Sequence, residues 1–105
     1  MQIIEKFEFD EKEARITLAD GCGVVTLNRV NGIVTFDTVL RRLKIRLISG
    51  AKFYLGEAAG YPGWQYVRLA MPSGYGPVRS LGRALTGDMS AKLFVEIANE
   101  CVENP

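Results

Sequence analysis

Along residues 3–81 apolar side chains recur at every second position, in short runs that each end on a turn-forming pair or cluster. A helix needs apolar residues every three or four positions, so this period of two commits most of the chain to short antiparallel strands. Ile3 to Phe9 alternates around Phe7 and Phe9, Asp10-Glu11-Lys12 is a polar break, and Ala14 to Ala19 resumes the pattern until Asp20-Gly21. That predicts a first hairpin. A second is predicted from Gly23 to Leu27 and Ile33 to Val39, because Asn31-Gly32 between them tolerates the positive φ of a tight turn.

Val39 to Ile48 fits two periods. Val39, Leu43 and Leu47 have helical spacing, whereas Leu43, Ile45 and Leu47 alternate with Arg42, Lys44 and Arg46; the stricter alternation predicts a strand that closes at Ser49-Gly50. A short strand over Lys52 to Leu55, a glycine-rich loop over 56–63, a strand over Trp64 to Met71, a loop over 72–77 and an extended piece over Val78 to Leu81 complete the series. The period then changes. From Asp88, an N-cap candidate, Met89, Leu93, Phe94, Ile97, Ala98 and Cys101 recur every three or four residues, with Lys92, Glu96, Asn99, Glu100 and Glu103 on the other face. The expected fold is α+β: one domain over 1–105, a strand-rich antiparallel meander over 1–81 and a single C-terminal amphipathic helix over about 88–103 packed on it.

Composition removes whole classes of function. The chain has no histidine and only two cysteines, Cys22 and Cys101, far apart and outside any CxxC pattern. The usual proton shuttle, the Ser-His and Cys-His nucleophile pairs and the commonest metal ligand are therefore missing, so no catalytic residue, metal or cofactor is expected. The cysteines are read as reduced thiols. Glycines 21, 23, 56, 60 and 63 lack the GK[ST] continuation or the strand, GxGxxG and helix order of a phosphate loop, and Asp20 and Asp37 read as turn residues. No apolar run reaches membrane-spanning length and the start, MQIIEKFEF, has no signal-peptide pattern, so a cytoplasmic protein without a membrane partner is expected.

The net charge of +1 conceals a partition. Residues 1–40 carry four basic and seven acidic side chains, residues 41–83 eight and one, and residues 84–105 one and four. On a strand, Arg42, Lys44 and Arg46 share one face at about 6.6–6.8 Å intervals, a spacing that suits successive phosphates of an extended nucleic-acid strand. Parity likewise places Trp64, Tyr66 and Arg68 on one face of their strand and Gln65, Val67 and Leu69 on the other. Either the aromatics share a surface with a cation, where they can stack bases, or they form the core face under the helix; the face the helix covers decides. Tyr61 and Tyr75, in glycine-rich loops, are contact residues or packing plugs.

Val34 to Asp37 (VTFD) leading into Leu43 to Gly50 (LKIRLISG), and above all Val67 to Ser73 (VRLAMPS), followed by Arg79, a polar turn and a terminal helix, resemble the SpoVG family of small bacterial septation and sporulation regulators. The resemblance spans roughly residues 33–103. It implies a four-stranded sheet with a helix, in a protein that dimerises and binds DNA or RNA to tune expression. The expected function is a nonenzymatic nucleic-acid-binding regulator, homodimeric through a sheet edge. Arg41, Arg42, Lys44, Arg46, Lys52, Arg68, Arg79 and Arg83 are its expected phosphate contacts, and Trp64 or Tyr66 its stacking residue. The alternative is a protein-interaction or small-ligand module, such as a phage or mobile-element accessory protein, whose basic strand meets an acidic protein partner.

Overall fold

The chain reverses where short polar side chains can satisfy the backbone of a turn. Asp10 ends β1 (Ile4–Phe9) and its Oδ1 accepts from the N–H groups of Lys12 and Glu13 at 2.7 and 2.8 Å, which starts β2 (Glu13–Leu18). Those backbone donors, Glu13 first and then Lys12, hold the Asp10 carboxyl below its ordinary range. One 3₁₀ turn over Ala19–Gly21, with Asp20 and Gly21 at φ 57° and 68°, leads into β3 (Gly23–Asn28). Asn28 Oδ1 then accepts from Val30 and Asn31, so the reversal before β4 (Ile33–Thr38) is wider than a two-residue turn at Asn31-Gly32, and only Gly32 takes positive φ.

The strand expected over Val39 to Ile48 is shorter, because Thr38 makes a tight turn first. Its Oγ1 donates to the carbonyl of Arg41 and accepts from the Arg41 N–H, so Val39 and Leu40 form the turn, 73% and 70% exposed, and β5 covers Arg42–Arg46. After Ser49-Gly50 come β6 (Lys52–Glu57), β7 (Trp64–Ala70) and β8 (Arg79–Leu85), the last running four residues beyond the expected Leu81. Helix α1 (Met89–Glu103) starts at the expected cap, with Asp88 Oδ1 accepting from Ser90 and Ala91 at 2.8 and 3.0 Å. The fold is α+β, as the change of period predicts.

The computed structural model describes residues 2–103, and in it the strands pair as two antiparallel meanders, β1 to β5 and β6 to β8. Neither has the four strands that the resemblance implies. The inward faces of both, carrying Ile16, Leu18, Val25, Leu27, Val34, Phe36, Phe53, Val67, Leu69 and Leu81, share one core with Ala91, Phe94 and Ala98 of the helix. Phe94 joins the layers: its ring centroid lies 5.9 Å from Phe7 and 6.5 Å from Phe9 of β1, and 6.0 Å from Phe53 of β6.

A second junction closes the opposite side. The Arg83 N–H donates to the carbonyl of Gln2 at 2.9 Å and the Ala19 N–H to that of Ile3 at 2.8 Å, so residues preceding β1 bridge to β8 as a parallel pair. Gly82, at φ 131°, makes the approach feasible, since a Cβ there would stand 2.6 Å from Ile4 Cγ1.

The helix also guards a strand edge. Asn99 accepts from the Phe53 N–H through Oδ1 at 2.8 Å and donates to the Phe53 carbonyl through Nδ2 at 2.9 Å, replacing the ladder that β6 lacks on its outer side. Asn99→Ala leaves both groups beside a buried phenylalanine without partners and is expected to destabilise by about 1–3 kcal/mol. Urea denaturation checks this; an unchanged midpoint would show that water replaces the amide without cost.

Candidate nucleic-acid interface

Val67 and Leu69 point into the core and are fully buried, which turns Trp64, Tyr66 and Arg68 to the outer face of β7, away from the helix. Cross-strand pairing sets Tyr54 of β6 and Ser80 of β8 on either side of Arg68, and Gly56 and Arg83 on either side of Tyr66. The guanidinium of Arg68 lies 5.0 Å from the centre of the Tyr66 ring. Gly56 keeps the surface low beside it, since a Cβ there would already touch Arg68 Nε at 3.5 Å and Tyr54 Cε2 at 3.6 Å. Aromatic rings and a cation thus alternate on one sheet surface, an arrangement that in general can accept stacked bases and phosphates together.

Arg83 belongs to this ladder but not to the free surface. It is 7% exposed, held with its guanidinium carbon 4.4 Å from the Tyr61 ring centre and 5.3 Å from that of Trp64. Tyr61 packs one ring face on Arg83 yet remains 41% exposed, and Tyr75 stands 65% exposed in its loop. Expectation from sequence places Arg83 among the phosphate contacts; the rings of Tyr61 and Trp64 cover it instead.

The second group of cations lies on the other sheet. Arg42, Lys44 and Arg46 project together from β5, with Leu43 and Ile45 half-buried against the core. Arg42 forms an exposed ion pair with Asp37 at 3.3 Å, worth little at a solvated site, and Lys44 and Arg46 have no ion-pair partner among the described residues. β5 is also an open edge, because no strand of the described residues pairs with its other side. Leu47 donates to Gly32 across β4, so by antiparallel alternation Leu43 and Ile45 spend their backbone groups on β4 while Arg42, Lys44 and Arg46 direct theirs outward.

Arg41 links the two groups. In the turn before β5 it lies 5.9 Å from the Phe36 ring centre, and with Phe36 it lines a cavity of about 160 Å³ that Tyr66 and Ser80 complete from the smaller sheet. An adjoining cavity of similar size has Arg68 and Val78 with the same Tyr66 and Ser80. The structure thus brings Arg41, Tyr66 and Arg68 onto one groove between the sheets. Lys52, at the start of β6, and Arg79, at the start of β8, lie on the smaller sheet, Lys52 exposed and Arg79 half-buried beside the 74–77 loop. Sequence reasoning passes over Tyr54, Ser80 and Gln2; only cross-strand register and the β1–β8 bridge place them here.

Other chemistry is sparse. Among the described residues no group of His, Cys, Asp and Glu is placed to hold a metal, and no helix is long and apolar enough to cross a membrane. Cys22 and Cys101 are free, and burial pushes the Cys101 thiol up, which keeps it protonated at neutral pH. No protein-family model, no curated protein and no solved structure matches the chain.

The stacked arginine yields a direct test. Arg83→Lys keeps the charge but replaces a flat guanidinium between two rings with a compact, strongly hydrated ammonium, and is expected to cost about 1–2 kcal/mol. Thermal denaturation followed by Trp64 emission measures it; a variant as stable as the parent would mean the stack contributes nothing.

Proposed function

We propose that this chain is a small nonenzymatic regulatory protein that binds single-stranded DNA or RNA across the outer face of β7 and along β5. The observation that carries the reading is the interleaving of Trp64, Tyr66 and Arg68 on a sheet face that neither the core nor the helix covers. Flat rings on a sheet accept bases of any sequence, and flanking cations track the backbone. The groove through Arg41 gives the strand a route from this face toward Arg42, Lys44 and Arg46. The resemblance to SpoVG regulators, which rests on its residues alone, points the same way.

The homodimer expected from sequence has its natural place at the open β5 edge. A two-fold pairing there faces like charges across the interface, with Lys44 near its own copy when the strands are centred, so the unliganded strands repel. Phosphates between the copies remove that repulsion, which makes dimerisation a property of the bound state.

A second reading has its own support. The outward N–H and C=O groups of β5, flanked by three cations, also suit an acidic extended segment of a protein partner that adds a strand to the sheet. In that reading the β7 face plays no part, so variants separate the two.

Titration of Trp64 emission with short single-stranded oligonucleotides at about 50 and 200 mM salt is expected to show salt-sensitive quenching. Tyr66→Ala is expected to cost about 1–3 kcal/mol of affinity, the range for one stacked base. Lys44→Ala and Arg46→Ala are each expected to lower the slope of log affinity against log salt by about 0.7. Absence of binding at the lower salt, or binding indifferent to Tyr66→Ala, would remove this reading and leave the β5 edge as a protein-docking strand.

A further inference from the structure

A cavity of about 520 Å³ opens at the β6–β7 hairpin and shares no lining residue with the groove around Arg41. Its volume falls within the roughly 300–1,000 Å³ of small-molecule sites. Glu57 is the one charged residue in its lining, and the carboxylate has no hydrogen-bond or ion-pair partner among the described residues. Gln65, also in the lining, commits Nε2 to the Leu85 carbonyl at 3.0 Å, which leaves the amide its acceptor oxygen. A carboxylate and an amide oxygen repel phosphate and favour a ligand rich in N–H donors. Tyr61 and Trp64 complete the lining; Arg83 lies against both rings, yet Tyr61 stays exposed and Trp64 half-buried. Such rings favour a flat ligand.

The edge of β6 supplies further groups. Asn99 takes the N–H and C=O of Phe53 on the side away from β7, so by antiparallel alternation Leu55 and Glu57 direct theirs to that same side. No group of the described residues bonds them there, and both residues line the cavity. A backbone N–H beside a free carboxylate matches one nucleobase. Along its Watson–Crick edge guanine presents O6, which accepts, and then N1–H and the N2 amino group, which both donate. No other common base carries two adjacent donors on that edge, and adenine sets the lone pair of N1 where guanine has its N–H, facing the carboxylate with like charge.

We propose that the cavity at the β6–β7 hairpin is a guanine pocket, in which Glu57 accepts from N1–H and the N2 amino group, an outward backbone N–H of β6 donates to O6, and the base packs against Tyr61 and Trp64. The inference rests on the nucleic-acid reading and deepens it, because Gly56 and Trp64 belong both to the cavity and to the outer face of β7. A strand stacked over Tyr66 delivers its next base there. Free guanosine presents the same edge.

Dissociation constants are measured by Trp64 emission for guanosine and adenosine, and for short single-stranded oligonucleotides that carry one guanine, hypoxanthine or adenine in an otherwise thymine strand. The parent is expected to bind the guanine strand about tenfold more tightly than the adenine strand, with the hypoxanthine strand, which lacks the N2 amino group, between them. Glu57 is exposed and has no partner to lose, so Glu57→Gln is expected to fold as the parent does. The variant is expected to bring the guanine and adenine strands within about twofold of each other. If guanosine binds in preference to adenosine, and Glu57→Gln abolishes that preference, while no oligonucleotide binds, the pocket stands and the nucleic-acid reading falls. If oligonucleotides bind with salt-sensitive quenching but the guanine and adenine strands bind alike, the nucleic-acid reading stands and the pocket is overturned. A guanine preference that survives Glu57→Gln also overturns it, and absence of binding by any of these probes overturns both.

Discussion

The structure depends on one aromatic side chain that serves both sheets. The meanders share no continuous ladder, and Phe94 is the residue whose ring meets β1 through Phe7 and Phe9 and β6 through Phe53. Aromatic contacts of this kind add about 0.5–1.5 kcal/mol each beyond the area they bury. Their position has a larger consequence than their energy. With Phe94 fixed at the gap between β1 and β6, the helix covers the inner side, and Asn99, one turn and a half further along, falls opposite the backbone of Phe53. The smaller sheet then has no second layer for its outer face. Trp64 and Tyr66 stay outside because the space beneath is already filled.

A sheet face with aromatics and no covering layer needs some other cover, and here arginine supplies it. Arg83 between Tyr61 and Trp64, and Arg68 over Tyr66, shield ring faces with guanidinium planes that keep some hydration. The arrangement shields the rings without burying them under a helix, so the face stays within reach of a flat, polar ligand. The buried position of Arg83 Nε shows the limit of that compromise: an arginine drawn far enough in to stack on both rings leaves one donor with nothing to meet.

The strands, the hairpins that join them and the cap of the helix are legible in the sequence because alternation, polar breaks and the Asp88 cap are local signals, but the division of the expected single meander into two sheets between β5 and β6 is not. What escapes is set by partners distant in the chain. Val39 and Leu40 read as strand because they are apolar, yet the Thr38 side chain closes a turn around them. The last residues of β8, Gly82-Arg83-Ala84-Leu85, carry no strand signature: the glycine is required by the close approach of Ile4, and the arginine is buried by rings that arrive from the β6–β7 connection and β7. The pairing of Asn99 with Phe53 spans 46 residues and leaves no periodic trace. For the candidate site, parity alone divides Trp64, Tyr66 and Arg68 from Val67 and Leu69, but which side faces water depends on where Phe94 docks.

The charge partition acquires meaning from the same geometry. Along the larger sheet, the acid-rich hairpin of β1 and β2 and the basic β5 stand at opposite edges, and the helix, with Glu96 and Glu100, packs near β1. A chain of net charge +1 therefore presents a negative side and a positive side instead of a neutral surface. Such a field contributes little to affinity at distances beyond a Debye length of about 8 Å at physiological salt, but it orients an approaching polyanion before contact. On the proposed nucleic-acid reading the acidic side would turn phosphates away from the helix and the first hairpin. On that reading the positive side would hold them over β5 and Arg41, next to the β7 face, where half-buried aromatics stand under arginine guanidinium groups. Even charge spread over the surface at the same net value would give a polyanion no preferred side from which to approach the β7 face.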